Sequence, residues 1–185
     1  MDAKELLQLG QRLLVDGKFR ESIDAFTRSI EGGEDTEIAY MSRGVALVKD
    51  RQADRAIEDF TKSISLNKKN SRAHYFRGIA CMVKEDYQRA VSDFDAAIRL
   101  TPDYGVAFFA RGTAYAQIGD EEKAEKNIRT AITLMESNIQ GFADSHGILR
   151  NQFDRALAVM MGDGVPSTMT LTHEEAAKIK KWIQA

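Results

Sequence analysis

A chain of 185 residues with 43% hydrophobic and 29% charged content is long enough to bury a substantial core and has the makeup of a soluble domain. Its 26 basic and 28 acidic residues leave a net charge of -2, close to neutral in both 1–136 and 137–185, which excludes the footprint of a nucleic-acid or anionic-membrane binder. A single cysteine, Cys81, excludes an internal disulfide framework and favours a reducing, cytoplasmic setting, and no run of about 18 apolar residues is present to span a bilayer.

The N-terminal stretch MDAKELLQLGQRLL carries acidic residues early and enters helical spacing at once, with no basic segment leading an apolar block, so no secretory leader is expected. Leu6, Leu9, Gly10 and Leu13 mark the inner stripe of a first helix, Gly17 breaks it, and Phe19, Ile23, Phe26 and Ile30 mark a second. Gly32 and Gly33 end that helix. The next pair runs from Glu37 to about Asn70 and turns near Asp50 to Gln52. A third turns near Lys84 to Asp86 and stops at Leu100, because Pro102 disfavours helix in the residue before it. The fourth turns at Gly119 and Asp120, and its second helix is expected to continue past Ile132 and Leu134. No segment alternates long enough to form a sheet, so the chain reads as all-α.

These four pairs are copies of one another. Shifting the chain by 34 residues superimposes Gly10, Gly44, Gly78 and Gly112 without a gap. Phe26, Phe60 and Phe94 then align with Ile128, Ser22 with Ala56, Ala90 and Ala124, and Ile30 with Ile64, Ile98 and Ile132. Two antiparallel helices approach closely only where side chains leave room, which the glycine and Ser22/Ala56/Ala90/Ala124 columns supply from opposite sides. The aromatic column fills the space beside them. A third small column, Ser29, Ser63, Ala97 and Ala131, is expected to let the following unit stack.

The spacing together with these columns resembles the tetratricopeptide repeat. The third unit carries the family pattern at His74, Arg77-Gly78, Cys81, Ala90, Phe94 and Pro102, and the second at Tyr40, Arg43-Gly44, Leu47, Ala56 and Phe60. The first has Ser22 in place of the alanine, the fourth Ile128 in place of the aromatic, and three units lack the proline. The resemblance implies a right-handed superhelical array of four helix pairs, at about 3–36, 37–70, 71–104 and 105–138, followed by two C-terminal helices. The array occupies 1–136, and 137–185 is a helical extension expected to act as a cap. Within that extension, helices are expected from about His146 to Met161 and, after a Thr172/Glu175 capping box, from Thr172 to Gln184.

The resemblance further implies that the first helices line a concave face. Their outward stripe reads Lys4, Leu7 and Gln11, then Ile38, Met41, Val45 and Val48, then Arg72, Tyr75, Ile79 and Met82, then Val106, Phe109, Thr113 and Ala116. The middle of this stripe is apolar and rich in adaptable side chains, which suits a protein or peptide ligand. The groove candidates are therefore Met41, Val45, Val48, Arg72, Tyr75, Ile79, Met82, Phe109 and Thr113, covered by a partner or by the chain's own tail. Ile179, Trp182 and Ile183 form an apolar cluster among Lys178, Lys180 and Lys181, a candidate lid, plug or self-contact, with a membrane-surface anchor the less favoured role. A chaperone-tail clamp of the kind some such domains carry is not expected, because its positions hold Leu7, Gln11, Ser42, Arg72 and Phe76.

Arg43, Arg77 and Arg111 precede the repeated glycines, and Asp59 and Asp93 offer them internal partners. His74, His146 and His173 share no metal-ligand spacing, Cys81 falls on the core column, and Gly162-Asp163-Gly164 reads as a turn. No nucleophile, phosphate-loop or paired-acid motif is present, so neither catalysis nor a cofactor or metal is expected. The reading that follows is a non-enzymatic adaptor binding a peptide or helix of another protein, the alternative being a self-associating scaffold, a homo-oligomer built through the groove or the C-terminal helices.

Overall fold

In the computed structural model of the protein, residues 1–146 are described. The helix expected from about His146 to Met161, apart from His146 itself, the helix expected from Thr172 to Gln184, and the cluster Ile179, Trp182 and Ile183 lie outside the described residues. Among the described residues eight α-helices follow one another with no strand. The first helices of the units are α1 (Ala3–Val15), α3 (Glu37–Lys49), α5 (Ser71–Val83) and α7 (Gly105–Ile118). The second helices are α2 (Phe19–Glu31), α4 (Ala53–Leu66), α6 (Tyr87–Leu100) and α8 (Glu121–His146), the last of 26 residues running past the end of its repeat.

Helix starts follow from side chains that satisfy free backbone N–H groups. Asp2 accepts from the Glu5 N–H at 2.8 Å while the Glu5 carboxylate accepts from the Asp2 N–H at 2.9 Å, a reciprocal cap on α1. Thr36 and Asn70 supply the same acceptor to α3 and α5. The fourth residue of this series is Tyr104, which gives α7 no side-chain cap. Each first helix ends in the same turn: the Lys18, Gln52, Asp86 and Asp120 N–H groups donate to the Leu13, Leu47, Cys81 and Tyr115 carbonyls. The residue before each donor is left-handed, with φ of 73° at Gly17, 61° at Arg51, 61° at Glu85 and 88° at Gly119.

Inside each unit a ring lies on a glycine. A methyl group on Gly10 would sit 2.6 Å from the Phe26 ring, on Gly44 2.7 Å from Phe60, and on Gly78 2.6 Å from Phe94. On Gly112 it would lie 2.9 Å from Ile128, so the smaller residue still closes the pair. The three rings are fully buried, each contributing roughly 1.5–3 kcal/mol of apolar burial. Ser22, standing where the other units have alanine, loses no hydrogen bond on burial because its hydroxyl donates to the Gly10 carbonyl at 2.9 Å.

The third small column also makes contacts inside its own unit. Its four members are fully buried, Ser29 donates to the Ala3 carbonyl of its own unit at 2.6 Å, and Ala131 lies beside Gly105 of its own unit. Small size there lets the two helices of one unit converge at the end opposite the first glycine.

The arginine ladder ties unit to unit. Arg43 donates to both Asp59 oxygens at 2.8 Å, within its unit, and to Thr27 of the preceding unit at 3.1 Å. Arg77 repeats this with Asp93 at 2.9 and 2.6 Å and Thr61 at 3.1 Å. In the fourth unit the carboxylate changes sides: Arg111 donates to Asn127 of its own unit at 2.8 Å and pairs with Asp95 of the preceding one. Each guanidinium thus keeps one carboxylate and one neutral acceptor. Its ladder role is structural, as the nearby aspartates lead one to expect.

Candidate functional site

Curvature follows from which helices touch. Every helix packs on its chain neighbours, and in addition α1 meets α3, α3 meets α5 and α5 meets α7, while no two second helices are in contact among the described residues. The side on which alternate helices approach is the inner side of the bend, so the first helices form the concave layer and the second helices the convex one.

Side chains on the concave layer fall into two groups. Met41, Val45 and Val48 are partly buried and pack on the core of Ile23, Phe26, Leu47 and Phe60, with Leu7 and Leu14 beside them. Tyr75 and Met82 are partly buried on the core that contains Phe94 and Ala110, and Ile79 is 9% exposed within it. Ile79 is therefore floor, covered by its neighbours. Val48 touches both cores and joins the two groups. Phe109 and Thr113 lie on the next helix in partial exposure, the Thr113 hydroxyl bonded to the Phe109 carbonyl at 3.1 Å. Arg72 is exposed at the edge. Large apolar side chains stand open on both margins, Ile38 at 49% and Val106 at 42% on one, Val83 at 48% on the other.

Tyr75 is the centre of an aromatic cluster. Its ring centroid lies 5.2 Å from Phe76, 5.9 Å from Phe94 and 5.3 Å from Tyr104. Burial, with a smaller contribution from Tyr104, pushes the Tyr75 hydroxyl up to about 12. Burial also raises Tyr104, against the opposing charge of Arg72. Tyr104 is the residue sequence reasoning misses. Its signal is positional: it follows Asp2, Thr36 and Asn70 in the capping column, and an aromatic that cannot cap has another task there.

The remaining reactive groups are occupied or enclosed. Asp93 sits 3.7 Å from His74 Nδ1 and is held by Arg77; burial raises its carboxyl, and His74 and Arg77 outweigh this and keep it below the usual carboxylate range. Burial pushes the Cys81 thiol up to about 11, which removes its nucleophilic form at neutral pH. Among the described residues no group of His, Cys, Asp and Glu side chains is arranged to hold a metal, and no helix is long and apolar enough to cross a membrane. At the positions of the chaperone-tail clamp, Leu7 packs into the core and Phe76 stacks on Phe60 at 6.0 Å.

The sequence profile of the tetratricopeptide repeat family matches residues 7–64, 41–105 and 82–134. Curated protein sequences give no significant match. Among solved structures, MamA superposes with a TM-score of 0.71 at 22% identity, covering 75% of this chain and 81% of that one. YrrB, described as a tetratricopeptide-repeat protein with an unusual peptide-binding site, gives 0.67 at 22% identity, covering 78% and 74%. The first such domain of Spaghetti (RPAP3), bound to the HSP90 peptide SRMEEVD, gives 0.62 at 20% identity, covering 64% and 94%. At these identities the likeness is one of fold. The successive profile matches, the glycine-on-ring packing in four units and the alternate-helix contacts together place the chain in the tetratricopeptide repeat family.

Proposed function

We propose that the protein is a non-enzymatic interaction module whose concave layer binds an extended or helical segment of another protein. The observation that carries this reading is the run of partly buried apolar side chains from Leu7 through Met41, Val45, Val48, Tyr75 and Met82 to Phe109. Half-covered side chains of this kind gain further burial only from an occupant, at about 25 cal/mol per Å². Peptide binding by YrrB and by the RPAP3 domain supports the same use of the fold. The free Cys81 thiol supports a reducing, cytoplasmic setting.

Panning a displayed random-peptide library on the immobilised full chain, followed by calorimetry of the selected peptides, tests this. Peptides with spaced apolar residues are expected, with affinity falling about tenfold or more for Phe109→Ala combined with Val45→Ala, a loss typical of interface anchors. Circular dichroism checks that the variant stays folded. Unchanged affinity in the folded variant overturns the groove. Saturable binding of SRMEEVD by the wild type replaces it with recognition of a terminal carboxylate.

A further inference from the structure

Charge is segregated between the two layers of the array. The four first helices carry seven basic and two acidic residues, the four second helices nine basic and thirteen acidic, in a chain whose net charge is -2. Three of the seven, Arg43, Arg77 and Arg111, are spent in the ladder. Arg12 stands at the exposed start of the array, in the position where later units bury Ala46, Ala80 and Ala114. That leaves Lys4 and Arg72 on one margin of the groove and Lys49 on the other, all exposed and without an ion pair among the described residues.

Three carboxylates stand against them, each hydrogen-bonded and still charged. Glu5 closes the cap with Asp2. Glu37 accepts from Asn67 at 3.0 Å and from Asn70. Asp50, at the end of α3, accepts from Arg20 at 3.3 Å and Gln52 at 2.6 Å. With the three ladder arginines paired, the first helices keep four basic side chains against Glu5 and Glu37, so the apolar strip lies in a layer with an excess of positive charge, which favours a partner of the opposite sign. The tail segment around Ile179, Trp182 and Ile183 carries Lys178, Lys180 and Lys181, the same sign as the border.

We infer that the groove takes an acidic partner in trans: an internal segment of another protein with spaced apolar anchors flanked by Asp or Glu. Lys4, Lys49 and Arg72 read the flanks, and the chain's own lysine-flanked cluster of Ile179, Trp182 and Ile183 is not the occupant. This rests on the groove reading above and adds the chemistry of its ligand. No terminal carboxylate is required, since the flanking side chains supply the charge.

The test is fluorescence anisotropy on the full chain with three labelled, C-terminally amidated peptides. Two share the same Leu and Phe anchors, flanked by Glu in one and by Lys in the other, and the third is residues 172–185. The Glu-flanked peptide is expected to bind about tenfold or more tighter than the other two, by an advantage that shrinks with added salt. Replacing Lys4→Gln, Lys49→Gln and Arg72→Gln together, at three exposed sites, is expected to remove most of that advantage while leaving the anchors' contribution. Equal affinity for the Glu- and Lys-flanked peptides overturns this inference and leaves the apolar groove standing. Tighter binding of the 172–185 peptide overturns it in favour of self-cover. Failure of all three to bind overturns the groove as well.

Discussion

Asp93 shows what one buried carboxylate does in this fold. Its side chain is 5% exposed, and it holds Arg77 in a bidentate pair while His74 stands 3.7 Å away. Because its folded pKa lies below the unfolded value of about 3.9, its stabilising contribution is complete above that value and is lost as pH falls through the folded one. Asp93→Asn is expected to cost about 3 kcal/mol at pH 7, the low end for breaking a buried pair since Arg77 keeps some solvent. The difference between wild type and variant should narrow as pH falls below about 4. Urea denaturation at a series of pH values measures both, and a penalty independent of pH in this window would assign the loss to packing alone.

Among the elements, the turn between paired helices is the same device made with different residues. Gly17 and Gly119 take its left-handed position without penalty, and a side chain added at either would meet nothing within 4 Å. Arg51 and Glu85 take the same position at φ 61° with a Cβ present, which costs about 1–2 kcal/mol. Glycine's greater freedom in the unfolded chain returns roughly 0.4–1 kcal/mol of that. Arg51→Gly and Glu85→Gly should therefore each stabilise by about 0.5–1 kcal/mol, read as a higher urea midpoint at unchanged slope. Gly119→Ala should have the opposite sign. Both turns are placed correctly by periodicity alone. That two of the four would be left-handed without glycine is not legible, because the requirement comes from the turn's hydrogen bonds and the residue type there is under no packing constraint.

At the scale of the whole array, the stacking positions change character at its two ends. Ala39, Ala73 and Ala107, like Ala46, Ala80 and Ala114, are fully buried between units, and α1 carries exposed Glu5 and Arg12 in those places. On the second helices, Ile23, Ile57 and Val91 give way to Glu125, paired with Arg129 at 2.8 Å. Stacking a further unit or a second copy in register on either end would bury these charges, a cost that keeps solenoid ends apart. Replacing Glu125→Ile with Arg129→Thr restores the residue types of the inner units and is expected to produce concentration-dependent self-association by sedimentation velocity, absent from the same end of the wild type. A variant no more associated than wild type would show that another feature closes that end.

The sequence alone determined the repeat, because a helix pair that must bury one face against its neighbours repeats the same small and large residues every 34 positions. Gly78 on Phe94, the turn at Glu85 and the pairing of Arg77 with Asp93 are all consequences of that local period. Only the tertiary structure decided what passes between units. Stacking brings Tyr104 onto Tyr75, shifts the partner of Arg111 to Asp95, sinks Ile79 into the floor and sends the Ser29 hydroxyl back to its own unit. It also gathers the first helices, with seven basic residues to two acidic, on the concave side, since a periodic pattern fixes which face of each helix is buried, and only the bend of the array sets which remaining faces are gathered into one surface.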